Sequence, residues 1–229
     1  MSTIKDFQNN IGVTFSNISL LEQALTHRSF LNEHREESIG HNERLEFLGD
    51  AVLELATTDR LYKKYPKAPE GELTAYRSAL VNTVSLATIS KELNLNEYIR
   101  LSKGESRDTG RARQFILANA VEAIIGAIYL DQGYEAASAF IATYFYPKLD
   151  EIIEKKLWQD SKSLFQEKAQ EKAAVTPQYK VLSEEGPDHD KTFTIAVLLN
   201  DEEIGQGTGL SKQEAEQNAA RAGLSAKGW

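Results

Sequence analysis

His41-Asn42-Glu43-Arg44-Leu45-Glu46-Phe47-Leu48-Gly49-Asp50-Ala51-Val52-Leu53 decides how the rest of this 229-residue chain is read. Its apolar spacing predicts a helix, which puts Glu43, Glu46 and Asp50, three and then four positions apart, on one face. Leu45, Phe47, Leu48, Ala51, Val52, Leu53 and Leu55 fill the remaining angles, so a helix apolar nearly all round and substantially buried is expected. Ionised carboxylates in such a place need protons, cationic partners or metal ions. The stretch therefore predicts a buried acidic cluster awaiting a cation.

Composition sets the frame around it. An apolar share of 41% beside 26% charged residues is that of an ordinary globular protein. The chain has no cysteine, which excludes a disulfide framework and a thiolate metal site and suits a reducing, cytoplasmic location. The N-terminus lacks a basic-then-apolar signal pattern. The most apolar segment, Phe115 to Leu130, carries Asn119 and Glu122 and reads as too short and too polar for a membrane span. Net charge is −8. Residues 1–155 hold 17 basic and 22 acidic residues, residues 156–229 hold 9 and 12, so neither part is basic. Any nucleic-acid surface has to be local, set by where charges sit rather than by their sum.

Outward from the opening stretch, the patterns up to about Glu154 are helical. Leu20–Leu25 starts one helix and Thr26-His27-Arg28-Ser29 reads as a polar turn. The helix 42–64 stops at Tyr65-Pro66-Lys67-Ala68-Pro69. Residues 70–90 read as a single further helix, with Leu73, Tyr76, Leu80, Val84 and Leu86 as its apolar positions. Residues 103–110 read as a mobile polar loop. Helices over 112–131, closed by Gly133, and over about 135–156, interrupted at Pro147, complete this part. After Trp158 the character changes. A helix at 161–172, strands at 178–183, 192–199 and 204–208, and a last helix opened by a Ser211/Glu214 capping box give the order α-β-β-β-α. Ala215, Ala219, Ala222 and Ala226 form a narrow face for packing on a sheet. The expected fold is a multidomain α+β chain: an all-α domain over 1–154, a linker over 155–160 and a small α-β-β-β-α domain over 161–229.

A second acidic pair, Asn119 and Glu122, lies one turn apart among Ile116, Leu117, Val121, Ile124, Ile125 and Ile128. A single such pair is as well explained by groups satisfying backbone or loop partners. Two helices each presenting carboxylates at one-turn spacing are harder to dismiss, because Mg²⁺ takes a few carboxylates while keeping waters. Hydrolysis of a phosphodiester assisted by metal ions needs that arrangement.

The stretch His41–Asp50 closely resembles the signature motif of the ribonuclease III family. Further matches run in order: Leu25-Thr-His-Arg-Ser29, Glu70-Gly-Glu-Leu-Thr74, Arg77-Ser-Ala-Leu-Val-Asn82, and residues 116–131. The tail is similar to the double-stranded-RNA-binding domain of the short bacterial members, through Gly186–Phe193 and Ser211–Ala220. The resemblance implies a homodimer that holds duplex RNA in a valley between two nuclease domains. It implies cleavage to 5′-phosphate and 3′-hydroxyl ends with two-nucleotide 3′ overhangs, in the processing of ribosomal and messenger RNA precursors. Carried over position by position, Glu46, Asp50, Asn119 and Glu122 match metal ligands, for Mg²⁺ with Mn²⁺ as a substitute, and Asp50 and Glu122 match catalytic residues. Glu43 and Glu70 match acidic cleft residues of uncertain role, and Phe47 matches a dimer-interface residue whose plainer reading is core. Gln166, Glu167, Gln170, His189 and Lys212 match RNA contacts, the plainer reading being ordinary solvated side chains.

Two positions depart from the family pattern. The family usually has Asp where this chain has Asn119, so the site loses one negative charge. A natural variant in a working enzyme, a substitution made to trap a substrate complex, and a member that binds RNA without cutting it all remain open; Glu46, Asp50 and Glu122 favour the first two. A metal phosphohydrolase acting on small nucleotides is disfavoured by the tail. Gln213 stands where a second Lys is common, which predicts weaker, salt-sensitive duplex binding.

Overall fold

The computed structural model of the chain describes residues 3–107, 109–187 and 191–229. His189 lies outside the described residues. The chain divides into two compact units, Met1–Trp158 and Gln159–Trp229.

Nine α-helices make up the described part of the first unit: α1 (Ile4–Ile11), α2 (Ile18–Ala24), α3 (Arg28–Glu33), α4 (Glu43–Lys64), α5 (Glu70–Leu80), α6 (Thr83–Glu92), α7 (Arg111–Gln132), α8 (Tyr134–Tyr144) and α9 (Tyr146–Glu154). At its centre α7 packs against α4, with α2, α6 and α8 around it. From Leu117 to Ile128 every residue of α7 is buried except Asn119 and Glu122, which are half-buried. By length and hydropathy alone α7 passes for a membrane span. Its neighbours make it instead the core helix of a packed helical domain, with Val121, Ile124, Ile125 and Ile128 fully enclosed.

The expectation for the opening stretch needs correction. In α4, Leu45, Gly49, Val52, Leu53, Ala56, Thr57 and Leu61 are buried, but the rest of the helix is not. Phe47, Leu55 and Tyr62 are 81%, 59% and 73% exposed. These three lie within about 80° of one another at 100° per residue, so α4 carries an exposed apolar stripe beside its core face. An all-round apolar pattern cannot tell burial inside one chain from burial against a second molecule.

The predicted single helix over 70–90 is two. Asn82 breaks it, its side chain accepting a hydrogen bond from the Ser85 amide at 2.9 Å as the N-cap of α6. Val84, expected in the core, is consequently turned out to solvent. The expected polar turn at 26–29 is cut short: Arg28 and Ser29 already belong to the short helix α3, with the His27 ring as its cap. Nor is the polar loop 103–110 free-standing: Glu105–Arg107 form a 3₁₀ turn, and the Lys103 amide donates to Glu33. A signal in the sequence that the expectations above omit is the Thr3/Asp6 capping box, which starts α1 and lets Phe7 and Ile11 enter the core.

The second unit has the expected order: α10 (Ser161–Ala173), β1 (Gln178–Glu185), β2 (Thr192–Leu199), β3 (Glu202–Gly209) and α11 (Lys212–Lys227). The strands form an antiparallel sheet in the order β1-β2-β3. Ile195, Val197 and Leu199 of β2 are buried toward Phe165 and Ala169 of α10 and Ala215 and Ala219 of α11. What allows α11 so close is glycine on β3: a methyl group added at Gly207 would stand 2.1 Å from the Ala219 amide nitrogen. The buried face of α11 is Ala215, Ala219, Ala220, Gly223 and Leu224, whereas Ala226 is exposed. The four-alanine face is thus corrected to one that drifts with the 3.6-residue period. Ser211 caps α11 as expected, but the Glu214 carboxylate accepts from the Leu210 amide.

Candidate active site

Glycine also decides the geometry between α4 and α7. A methyl group added at Gly49 would lie 1.8 Å from the Glu122 carbonyl oxygen, and one at Gly126 would lie 2.2 Å from that of Leu45. The two helices therefore touch backbone to backbone, which brings the Glu46/Asp50 face of α4 against the Asn119/Glu122 face of α7. Neither glycine was among the predicted site residues. The available signal was a glycine in the interior of each long helix, where it costs roughly 1 kcal/mol against alanine and calls for a reason.

At this crossing the carboxylates act on one another. Burial, then the charges of Asp50 and Glu46, push the Glu122 carboxyl up to about 8. Glu46 is raised by burial and by Glu43, against a lowering hydrogen bond from the Asn119 side chain. Asp50 is raised by burial and by Glu54. The charges that act on these three groups are all carboxylates. Among the described residues no three acidic or imidazole side chains already converge as a ligand set for a metal ion. What stands there is an uncompensated acidic triad from two helices with one amide among it. Carboxylate and amide oxygens are hard donors that suit a divalent cation such as Mg²⁺, and a cation would relieve the repulsion. The residues present fit such an ion.

The remaining sequence-predicted residues are placed unequally. Glu43, at the first turn of α4, is exposed and pairs with Arg28 at 3.2 Å. Glu70 is not brought to the triad. It opens α5 and lines a separate cavity of about 300 Å³ with Thr58, Tyr62 and Arg77. Phe47 points to solvent, so the plainer reading of it as core does not hold within one protomer.

In the second unit Gln166, Glu167 and Gln170 share an exposed face of α10 and line a shallow depression of about 600 Å³. Lys212 sits at the N-terminus of α11, where free amides and the helix dipole favour an anion. It is not idle there: its ammonium lies 2.9 Å from Glu184 and over the Phe193 ring.

Comparison with known proteins places the chain in a family. Residues 17–149 match the family model described as ribonuclease-III-like, and residues 161–226 match the double-stranded RNA binding motif. A protein named ribonuclease 3 from Pelotomaculum thermopropionicum is 46% identical over 217 residues, covering 95% of this chain and 90% of the relative. One of the same name from Bacillus licheniformis is 47% identical over 220 residues, covering 96% and 88%. Among solved structures, the ribonuclease III nuclease domain from Campylobacter jejuni is 40% identical with a TM-score of 0.58, covering 63% of this chain and 99% of that one. Its description names a region involved in dimer formation. The chain belongs to the ribonuclease-III-like family, as a member whose helical nuclease domain is followed by a double-stranded-RNA-binding motif.

Proposed function

We propose that the chain is an endoribonuclease of double-stranded RNA that works as a homodimer with a divalent cation, Mg²⁺ or in its place Mn²⁺. Residues 1–154 form its nuclease domain, 155–160 the linker and 161–229 the RNA-binding domain. The observation that carries this reading is the uncompensated triad Glu46, Asp50 and Glu122 at the α4–α7 crossing, in a chain with its own duplex-binding motif. A cytoplasmic location fits processing of ribosomal and messenger RNA precursors.

The chemistry follows from the residues. Glu46, Asp50 and Glu122 would hold the cation through carboxylate oxygens, and Asn119 would offer its amide oxygen, while its N–H group steadies Glu46. When bound, the ion supplies an activated water and stabilises charge on the departing 3′ oxygen. Glu122, held up to about 8 and so protonated near neutral pH, would have to release that proton to serve as a ligand. Gln166, Glu167, Gln170 and His189 address 2′-hydroxyls of the minor groove, and Lys212 a phosphate. The products are short duplexes with 5′-phosphate and 3′-hydroxyl ends and two-nucleotide 3′ overhangs.

Incubation of the protein with long duplex RNA and Mg²⁺ or Mn²⁺ tests this directly. Short duplex products that vanish with chelator are expected; duplex RNA bound but uncut would overturn the nuclease reading. Asn119→Asp is expected to raise cleavage at limiting Mg²⁺ and to lower the melting temperature of the cation-free protein, because a fourth carboxylate replaces the donor to Glu46. An unchanged rate across a metal titration would contradict it.

The exposed Phe47, Leu55 and Tyr62 stripe supports the dimer. Phe47→Glu is expected to convert a dimer into a monomer in sedimentation and to reduce cleavage at least about 10-fold, the scale of a buried aromatic anchor. A dimer of unchanged mass would count against this face.

A further inference from the structure

We propose that Arg28 is an RNA-phosphate-binding residue of the nuclease cleft, and that Glu43 is its positioning residue rather than a ligand of the cation. This rests on the nuclease reading above. Arg28 belongs to Leu25-Thr26-His27-Arg28-Ser29, a segment to which no function has yet been attached. Its guanidinium lies 3.2 Å from the Glu43 carboxylate, with the two side chains 66% and 45% exposed.

An isolated surface pair of this kind would mean little, but here both backbones are tied together. The Thr26 carbonyl accepts from the Asn42 amide at 2.9 Å, which joins the residues two before Arg28 and one before Glu43. The His27 amide donates to the Arg100 carbonyl at 3.1 Å, and the Arg100 amide donates to the Leu25 carbonyl at 2.8 Å. Ser29 Oγ accepts from the Ser102 amide at 3.1 Å and is hydrogen-bonded to His27 Nδ1 at 2.8 Å. Asn42 is buried, and the Gln23 side chain holds the His41 carbonyl at 3.1 Å. The start of α4 and the segment bearing Arg28 are therefore one fixed unit.

The placement decides what Arg28 is for. Glu43 is one turn before Glu46 on the same face of α4, so Arg28 stands at the rim of an acidic site. Carboxylates there repel the backbone of an approaching duplex, and a cation at the rim offsets this for the phosphate next to the cut. A guanidinium suits that task, since its planar fork meets two phosphate oxygens at once. An exposed pair is weak because solvent screens it, so exchanging Glu43 for phosphate costs little. Glu43 keeps the long side chain aimed until RNA arrives.

Steady-state kinetics of the full chain on duplex RNA test this, with Arg28→Ala, Arg28→Lys, Glu43→Gln and the double variant Arg28→Ala/Glu43→Gln, each checked for unchanged melting. Arg28→Ala is expected to raise KM about 10-fold, the scale of one charged hydrogen bond, with kcat kept within about twofold. It should also reduce the dependence of log KM on log salt by about one phosphate contact. Arg28→Lys should recover part of the loss. Glu43→Gln should raise KM about threefold alone and add nothing in the Arg28→Ala background. An unchanged KM and salt dependence for Arg28→Ala would overturn the proposal, as would a fall in kcat at constant KM, which would mean Arg28 acts through Glu46. Failure of the unaltered protein to cut duplex RNA would instead overturn the nuclease reading.

Discussion

Glu122→Gln is expected to abolish cleavage of duplex RNA, by at least about 10³-fold in kcat, and at the same time to make the cation-free protein more stable at pH 8. The first effect is the scale on which a group acting on transition-state charge is felt. The second follows from linkage. The Glu122 carboxyl is held at about 8 in the folded chain against an ordinary value of 4.5. Between those two pH values the folded protein binds a proton that the unfolded chain has released, so stability falls as pH rises through the window and levels off above it. Each tenfold difference in proton affinity between folded and unfolded chain is worth about 1.4 kcal/mol. Glu122 retains some access to solvent, so roughly 2 kcal/mol is expected, or about 5 °C for a chain of this size. Glu46 and Asp50, also raised, act in the same direction. Thermal melting of the cation-free protein at pH 5 and pH 8 checks this. The unaltered chain should lose stability across the interval, Glu122→Gln should lose much less, and equal slopes would contradict the placement of Glu122.

Gly49→Ala is expected to destabilise the nuclease domain by about 3 kcal/mol or more and to remove activity with it. Glycine to alanine inside a helix ordinarily stabilises by up to about 1 kcal/mol, so the expected sign is reversed. The cause is that the new methyl group would stand 1.8 Å from a backbone carbonyl of α7, which no side-chain rotation relieves. Separating α4 from α7 to make room also separates Glu46 and Asp50 from Glu122. Gly71→Ala is the control: Gly71 lies in α5 with open space where its methyl group would go, and the same chemical change there should leave stability equal or higher. Melting and cleavage measured side by side separate the two. If Gly49→Ala melts like Gly71→Ala, the close crossing is wrong.

These outcomes bear on how far the residues alone spoke. The helical first part and the α-β-β-β-α tail follow from periodicity, whereas the grouping of Glu46 and Asp50 with Glu122 comes only as an implication of the resemblance carried by His41–Asp50 and residues 116–131. Periodicity failed where burial depends on a second body: Phe47 and Leu55 look like core in the sequence and face solvent in the protomer. It failed again at Asn82, where one side-chain cap outweighs continuous helical propensity and turns Val84 outward. The pattern could not reveal the roles of Gly49 and Gly126, because a glycine's purpose lies in what approaches it. Nor could it distinguish Glu43, engaged by Arg28, from Glu46, which faces other carboxylates. That distinction needs the bond from Asn42 to Thr26, made between residues 16 apart.

The acidic crossing as a cation site is tested most directly by the proton it gives up. Calorimetric titration of Mn²⁺ into the protein at pH 7, repeated in buffers of different ionisation enthalpy, measures protons released per cation bound. Release approaching one proton per nuclease domain is expected, with most of it lost in Glu122→Gln. Cation binding with no proton release, or with the same release in Glu122→Gln, would contradict a site built on the Glu46, Asp50 and Glu122 carboxylates.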